Sequence, residues 1–220
     1  MIYLNAKELV NLHAEDKEIQ RVLLGDKIVW ENIQVIDLGV GQTFDLSSYP
    51  NYQSFTVDDF FFTETTQARL TGSQATGNVY TYSGFSKSYN SSTGILTIRN
   101  YAQSGSSYAY GNVHAYLVLK WDRMIYLGEG KTFNVTAYDG WENFTADNFL
   151  IQSTYGGNIG GIRDPGGWSA TSEIVKNYNQ ANGVFTCYFE GVYLSSKSHS
   201  ETWSHARQDN TKVYLLKKGI

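Results

Sequence analysis

Ile36-Asp-Leu-Gly-Val-Gly-Gln-Thr-Phe44 returns as Ile125-Tyr-Leu-Gly-Glu-Gly-Lys-Thr-Phe133. Subtracting 36 from 125 gives an offset of 89. It carries Tyr49 onto Tyr138, Phe55 onto Phe144, Asp58 onto Asp147, Phe60 onto Phe149, Lys87 onto Lys176, Tyr89 onto Tyr178 and Gly94 onto Gly183. Self-similarity at a fixed period means one unit written twice. The division that follows is a segment over residues 1–32, one copy over 33–121 and a second over 122–220. Near the end of the chain the offset grows: Tyr116 matches Tyr214, an offset of 98, so the second copy gains nine residues (98 minus 89) within 194–210.

Each copy reads as strands. Thr43-Phe-Asp-Leu46, Ile95-Leu-Thr-Ile98 and Val113-His-Ala-Tyr-Leu-Val-Leu119 are short β-formers set between Gly, Asn, Asp and Ser, and no helical periodicity intervenes. Gly39-Val40-Gly41 is expected to be a tight connection between two strands, Asp58 and Asp147 turn residues, and Asn90 to Gly94 a hairpin. The fold class is therefore all-β: two tandem antiparallel β-sandwich domains, jelly-roll-like, from an internal duplication, with Phe44, Phe55, Phe60 and Leu96 or their equivalents inside. Residues 1–32 carry a smaller period of ten, Lys7-Glu-Leu9, Lys17-Glu-Ile19 and Lys27-Ile-Val29, and read as a small β-meander. Such strands are barely stable alone, so Ile19, Val22, Leu24, Ile28, Val29 and Trp30 are expected to dock on a partner surface.

Composition excludes several classes of function. Aromatics make up 15% of residues against 17% charged, as in an ordered β-rich chain rather than a disordered one. The net charge of −4 with scattered Lys and Arg offers no basic face for nucleic acid. No run nears the roughly 18 apolar residues of a membrane span, and the first residues lack the pattern of a secretion signal. Cys187 stands alone, so no internal disulfide forms, and it is expected to be a small buried hydrophobe. Gly-x-Gly at 39–41 lacks the third glycine and the helix of a dinucleotide site. His199, Glu201 and His205 match no zinc spacing, and no metalloprotease motif, nucleophile elbow or P-loop is present. No metal, no cofactor and no catalysis are expected.

Where the second copy departs from the first, it adds the glycine-dense stretch Tyr155 to Trp168 and the longer Ser195 to His205, and it has Trp141 where the first has Tyr52. Trp141, Tyr155, Arg163, Asp164, Trp168 and Trp203 are the candidate sugar-binding residues, rings for apolar sugar faces and polar groups for hydroxyls. The competing reading puts the tryptophans in the core or at a domain interface.

The opening residues, Met1-Ile-Tyr-Leu-Asn-Ala-Lys-Glu-Leu9 followed by Lys17-Glu-Ile-Gln-Arg-Val-Leu-Leu-Gly-Asp-Lys-Ile-Val-Trp-Glu31, resemble the N-termini of tailed-bacteriophage virion proteins, notably fibre, tail-tip and head-appendage components. The resemblance covers about 31 residues. It implies a virion location, attachment to other virion proteins through residues 1–32, and outward display of the rest. The expected function is then a non-enzymatic structural protein of a phage tail, fibre or head appendage, with adhesion to a host-surface polysaccharide. A homo-oligomer, a trimer first, would add weak sites through avidity. A purely architectural capsid or tail decoration, a bacterial carbohydrate-binding module and a hydrolase are the alternatives.

Overall fold

The computed structural model describes the backbone of residues 13–14, 17–18, 21–24, 27–31, 35–72, 78–119, 124–154, 157–163, 168–197, 200–208 and 211–216. Side chains are described for 35–72, 81–119, 124–154, 169–192 and 211–216. The described residues are strand, turn and four single-turn 3-10 helices, as the β-forming composition requires, and none of their helices is long and apolar enough to cross a membrane. Four short strands come first: β1 (His13–Ala14) pairs with β2 (Lys17–Glu18), and β3 (Arg21–Leu24) with β4 (Lys27–Glu31), each pair a two-stranded sheet. Small strands were expected here as one meander, but the described ones form two separate hairpins in which β2 and β3 do not pair; Ile19 and the side chains of the other docking residues lie outside the described residues.

The first half then runs β5 (Val35–Gly41), β6 (Thr43–Asp45), β7 (Phe60–Thr65), β8 (Ala68–Gly72), β9 (Asn78–Asn90), β10 (Ile95–Ser104), β11 (Ser107–Gly111) and β12 (Val113–Val118). The second half runs β13 (Met124–Gly130), β14 (Thr132–Asn134), β15 (Phe149–Ser153), β16 (Gly157–Arg163), β17 (Trp168–Asn179), β18 (Val184–Lys197), β19 (Ser200–Gln208) and β20 (Thr211–Leu216). Strand for strand, the second list repeats the first. The nine added residues lengthen the last hairpin: β18 and β19 have 14 and 9 residues where β10 and β11 have 10 and 5.

The halves were expected as separate tandem domains, but they share their sheets. One sheet of six strands has the order β13-β20-β15-β7-β12-β5, so β7 of the first half lies beside β15 of the second. Their contact is Ile151 opposite Phe62, and 62 plus 89 is 151. A residue that meets its own counterpart is what a two-fold contact between like units produces. Two further sheets, β11-β10-β9-β16 and β19-β18-β17-β8, each borrow one strand from the other half. Here too the pairings match: Ser172 lies opposite Ala68, and Ser83 opposite Gly157.

One apolar core results. Phe60 and Phe62 of β7, Phe149 and Ile151 of β15, and Leu117 and Leu215 of β12 and β20 point inward from the six-stranded sheet. Leu96 and Ile98 of β10, and Phe185, Cys187 and Phe189 of β18, meet them from the other two sheets. Burial alternates along β10 as period-two strand geometry demands, Leu96, Ile98, Asn100 and Ala102 in and Thr97, Arg99, Tyr101 and Gln103 out. Phe44 and Phe133 hold matching places, Phe44 opposite Leu96 and Phe133 opposite Phe185.

Two local readings change. Gly39 does not turn the chain; it sits inside β5, which runs on to Gly41, and it has φ +81° where the pairing with β12 shifts register, as Gly128 (φ +117°) does against β20. Both absorb an extra residue in a bulge that a left-handed glycine makes cheap. The residue that closes each turn, Asp59 in one copy and Asn148 in the other, is the neighbour of the acid expected. Thr56 N–H donates to Asp59 (2.7 Å) and Thr145 N–H to Asn148 (2.9 Å), completing capping boxes, while Asp147 faces Lys176 at 3.6 Å.

Lys87 fastens the junction between the halves. Its Nζ donates to the carbonyls of Phe60 (2.8 Å, β7) and Gln152 (2.6 Å, β15). Burial pulls its pKa down to about 8, against the opposing pull of Asp58 and Asp59. Between pH 8 and 10.5 the unfolded chain holds this proton more tightly than the folded one, so stability rises with pH through that window. We expect a gain of about 2 kcal/mol from pH 8 to 10. Tyr89, Tyr101, Tyr116, Tyr178 and Tyr214 are all shifted upward, chiefly by burial, and their contribution is lost only above the ordinary tyrosine range. Denaturant melts across pH 7–10 should show the rise in the wild type and a flat profile in Lys87→Met; a wild-type profile that falls with pH would refute this.

Candidate functional site

The outward face of β9, β10 and β11 gathers four tyrosines. Cross-strand register puts Tyr110 beside Tyr101, Tyr108 beside Gln103, and Tyr82 on the other flank of Gln103. Ring centroids are 6.0 Å apart for Tyr82 and Tyr101, 6.0 Å for Tyr101 and Tyr108, and 5.8 Å for Tyr108 and Tyr110, the last two rings lying within 9° of parallel. Alternation makes the face: Arg99, Tyr101 and Gln103 are the outward residues of β10, and Tyr108 and Tyr110 those of β11 after the tight turn at Gly105.

Gly84 supplies the floor. It lies opposite Tyr101, and a Cβ there would stand 2.3 Å from Tyr101 Cζ, so the ring lies flat across β9 only because position 84 has no side chain. The Arg99 guanidinium sits 4.0 Å from the centre of the Tyr110 ring, a cation–π contact that fixes that ring. The buried Arg99 Nε has no hydrogen-bond partner. Gln103 Nε2 donates to the Gly105 carbonyl (2.9 Å), holding the turn. Tyr108 and Tyr110 are 46% and 39% exposed, large apolar surfaces left to solvent. Burial, then the neighbouring tyrosines, raises the Tyr101 pKa, so its hydroxyl stays a hydrogen-bond donor at neutral pH.

The other half lacks this face. At the same offset Tyr82, Gly84, Arg99, Tyr101 and Gln103 become Thr171, Glu173, Tyr188, Glu190 and Val192. With the fold shared and the surface different, the tyrosines are a property of one half and are not needed to make the fold. Chemically the face offers neutral rings, phenol hydroxyls, one amide and one cation, with no carboxylate among the six side chains. That suits an apolar face edged with hydroxyls.

The sites expected from the second half fare differently. Trp141 is half-buried against the core, and its Cε3 would lie 2.9 Å from a Cβ on Gly183; its carbonyl accepts from Tyr178 (2.7 Å), as that of Tyr52 accepts from Tyr89 (2.7 Å). It props a hairpin from the rim of the core. Arg163, Trp168 and Trp203 lie on β16, β17 and β19, with Trp168 paired to Gly72 and Ser195 and Trp203 to Leu194; their side chains, and Tyr155 and Asp164 altogether, lie outside the described residues. Of the six, Trp141 alone has a described side chain, and it packs against the core. The tyrosine face was missed because the comparison of the copies sought what the second adds, whereas here the first substitutes. Arg99-x-Tyr101-x-Gln103, alternating out of phase with Leu96 and Ile98, and Tyr108-x-Tyr110 beyond the turn were the available signal.

Two other groups carry less. Cys187 is fully buried in β18 and its thiol is pushed up to about 12 by burial, the state of a packing residue. His114 pairs with Asp37 at 2.8 Å, lies 3.6 Å from Glu64 and stacks on Tyr116, a surface arrangement worth at most about 1 kcal/mol. Among the described residues no three His, Cys, Asp or Glu are placed to hold a metal. Compared with known proteins, the chain matches no family, no curated protein and no solved structure.

Proposed function

We propose that this chain is a non-enzymatic binding protein of a bacteriophage particle, attached to other virion proteins by its N-terminal segment and adhering to host-surface glycan through the tyrosine face of its first half. The observation that carries the binding role is the cluster of Tyr82, Tyr101, Tyr108 and Tyr110 on one outward face, the Tyr108 and Tyr110 rings exposed and nearly parallel, with Arg99 at its edge. Its attachment rests on the resemblance of residues 1–31. In mechanism, apolar sugar faces stack on the rings while the phenol hydroxyls and the Gln103 amide meet hydroxyls. Such contacts are individually weak, so a homo-oligomer, a trimer first, multiplies them.

The test is a glycan array read with wild type, the double variant Tyr101→Ala/Tyr108→Ala, and Trp168→Ala and Trp203→Ala separately. The tyrosine variant should bind at least about tenfold more weakly, since two stacking rings are removed. Loss in the tryptophan variants alone would move the site to the second half. A blank array with wild type would replace adhesion by architectural decoration.

A further inference from the structure

The outer face of the six-stranded sheet carries an apolar strip that spans the junction of the halves. Phe61 and Val118 are 0% exposed and Leu150 is 2% exposed; Val35, Tyr116, Met124 and Tyr214 pack around them, and Phe61 and Leu150 are counterparts at the offset of 89. These seven residues come from β5, β7, β12, β13, β15 and β20, all strands of that one sheet. Side chains on one face of a sheet do not bring a phenylalanine to zero exposure by themselves; that takes a second layer on the same face. The core described above lies on the opposite face, where Phe60 and Phe62 point.

We propose that the β3–β4 hairpin is this second layer, seated across Phe61, Val118 and Leu150. Three observations converge on it. Only residues 32–34 separate the end of β4 from Val35, and four Cα steps span at most about 15 Å, so the hairpin is tethered beside a residue of the strip. Six of the hairpin's nine residues are apolar (Val22, Leu23, Leu24, Ile28, Val29, Trp30), with Arg21 opposite Glu31 at its open end. An isolated two-stranded hairpin is marginal in water and gains stability by packing on such a surface. The segment 120–123, which joins β12 to β13 at this end of the sheet, has four residues of which three are charged (Lys120, Asp122, Arg123) and Trp121 alone is apolar, too short and polar to form a layer.

The apolar residues that looked like a docking surface for another protein are thereby assigned a partner within the chain. Attachment to a particle falls to residues 1–20, with 21–31 as the clasp that fixes that tail to the body.

In the full-length chain, Ile28→Asp/Trp30→Asp should raise the fluorescence of the apolar dye ANS about tenfold and promote self-association, while the far-UV spectrum and a cooperative melt are kept. Trp121→Asp should leave dye binding as in wild type. Dye binding gained only in Trp121→Asp, or in neither variant, overturns the assignment. Because a variant that loosens the core would also bind dye, a second measurement uses a spin label on Val29→Cys. Methyl signals of Leu150 and Val118 should lose at least about half their intensity relative to the reduced label while those of Leu96 are retained. Unchanged Leu150 and Val118 signals overturn the assignment as well.

Discussion

Replacing Phe149 by alanine should lower the stability of the whole chain by about 3–5 kcal/mol and still give one transition. Phe149 is fully buried; its ring stacks on Phe185 with centroids 4.0 Å apart and planes within 4°, and Tyr178 lies at 5.2 Å. Truncation removes a large apolar side chain and leaves a cavity bounded by two sheets that cannot both move in. Against a typical total of about 5–15 kcal/mol this is a large fraction, on the order of 10 °C in melting temperature for a chain of this size. The second half of the prediction comes from topology. Phe149 begins β15, whose Ile151 pairs with Phe62, and β8 and β16 are exchanged between the halves, so neither half can open without breaking the other's sheets. Hydrogen exchange at β10 and β12 in the first half should be accelerated as much as at β18 and β20 in the second. Protection retained in the first half alone would show that the two fold independently. Phe60→Ala, the counterpart beside Tyr89 (4.9 Å) and Phe55 (6.4 Å), should behave alike.

That coupling marks where sequence reasoning stops. The offset of 89, strand content, alternation along β10 and the buried role of Cys187 were all legible, because each depends on local period or on the character of one residue. The strand exchange was not. β8 and β16 have the same pattern whether they pair within their own half or with the other, since register and partner are set by pairs far apart in sequence, Ser83 with Gly157 (157 minus 83 is 74) and Ala68 with Ser172 (172 minus 68 is 104), and by contacts such as Ser83 Oγ donating to the Thr171 carbonyl (3.1 Å). The lesson for the candidate site is similar. Tyr101 and Tyr108 are ordinary strand residues in sequence, and only the absence of a side chain at Gly84 and the placement of Arg99 turn them into a surface.

Two glycines separate that surface from the fold supporting it, and their alanine variants should part company. At Gly111 a Cβ would lie 2.2 Å from the Thr66 carbonyl oxygen and 2.3 Å from Asn100 Oδ1. Neither can retreat, for the first is backbone, and Asn100 is fully buried with its Nδ2 donating to the carbonyls of Thr66 (3.1 Å) and Ser172 (2.5 Å), a link between sheets. Gly111→Ala should therefore cost about 3 kcal/mol, the upper part of the overpacking range, by forcing that seam apart. At Gly84 the nearest atoms are the Cζ and hydroxyl of Tyr101, at 2.3 and 2.4 Å, the far end of a side chain with solvent on its outer side. Tyr101 can swing away, so Gly84→Ala should lose less than about 1 kcal/mol of stability. The ring would no longer lie flat between Tyr82 and Tyr110, and glycan binding should fall at least about tenfold with all four tyrosines still present. Melting curves and array binding measured on the same two proteins decide it. A Gly84→Ala protein that melts and binds like wild type would mean that the flat ring is incidental to recognition, and the tyrosine face would lose its claim to be the site.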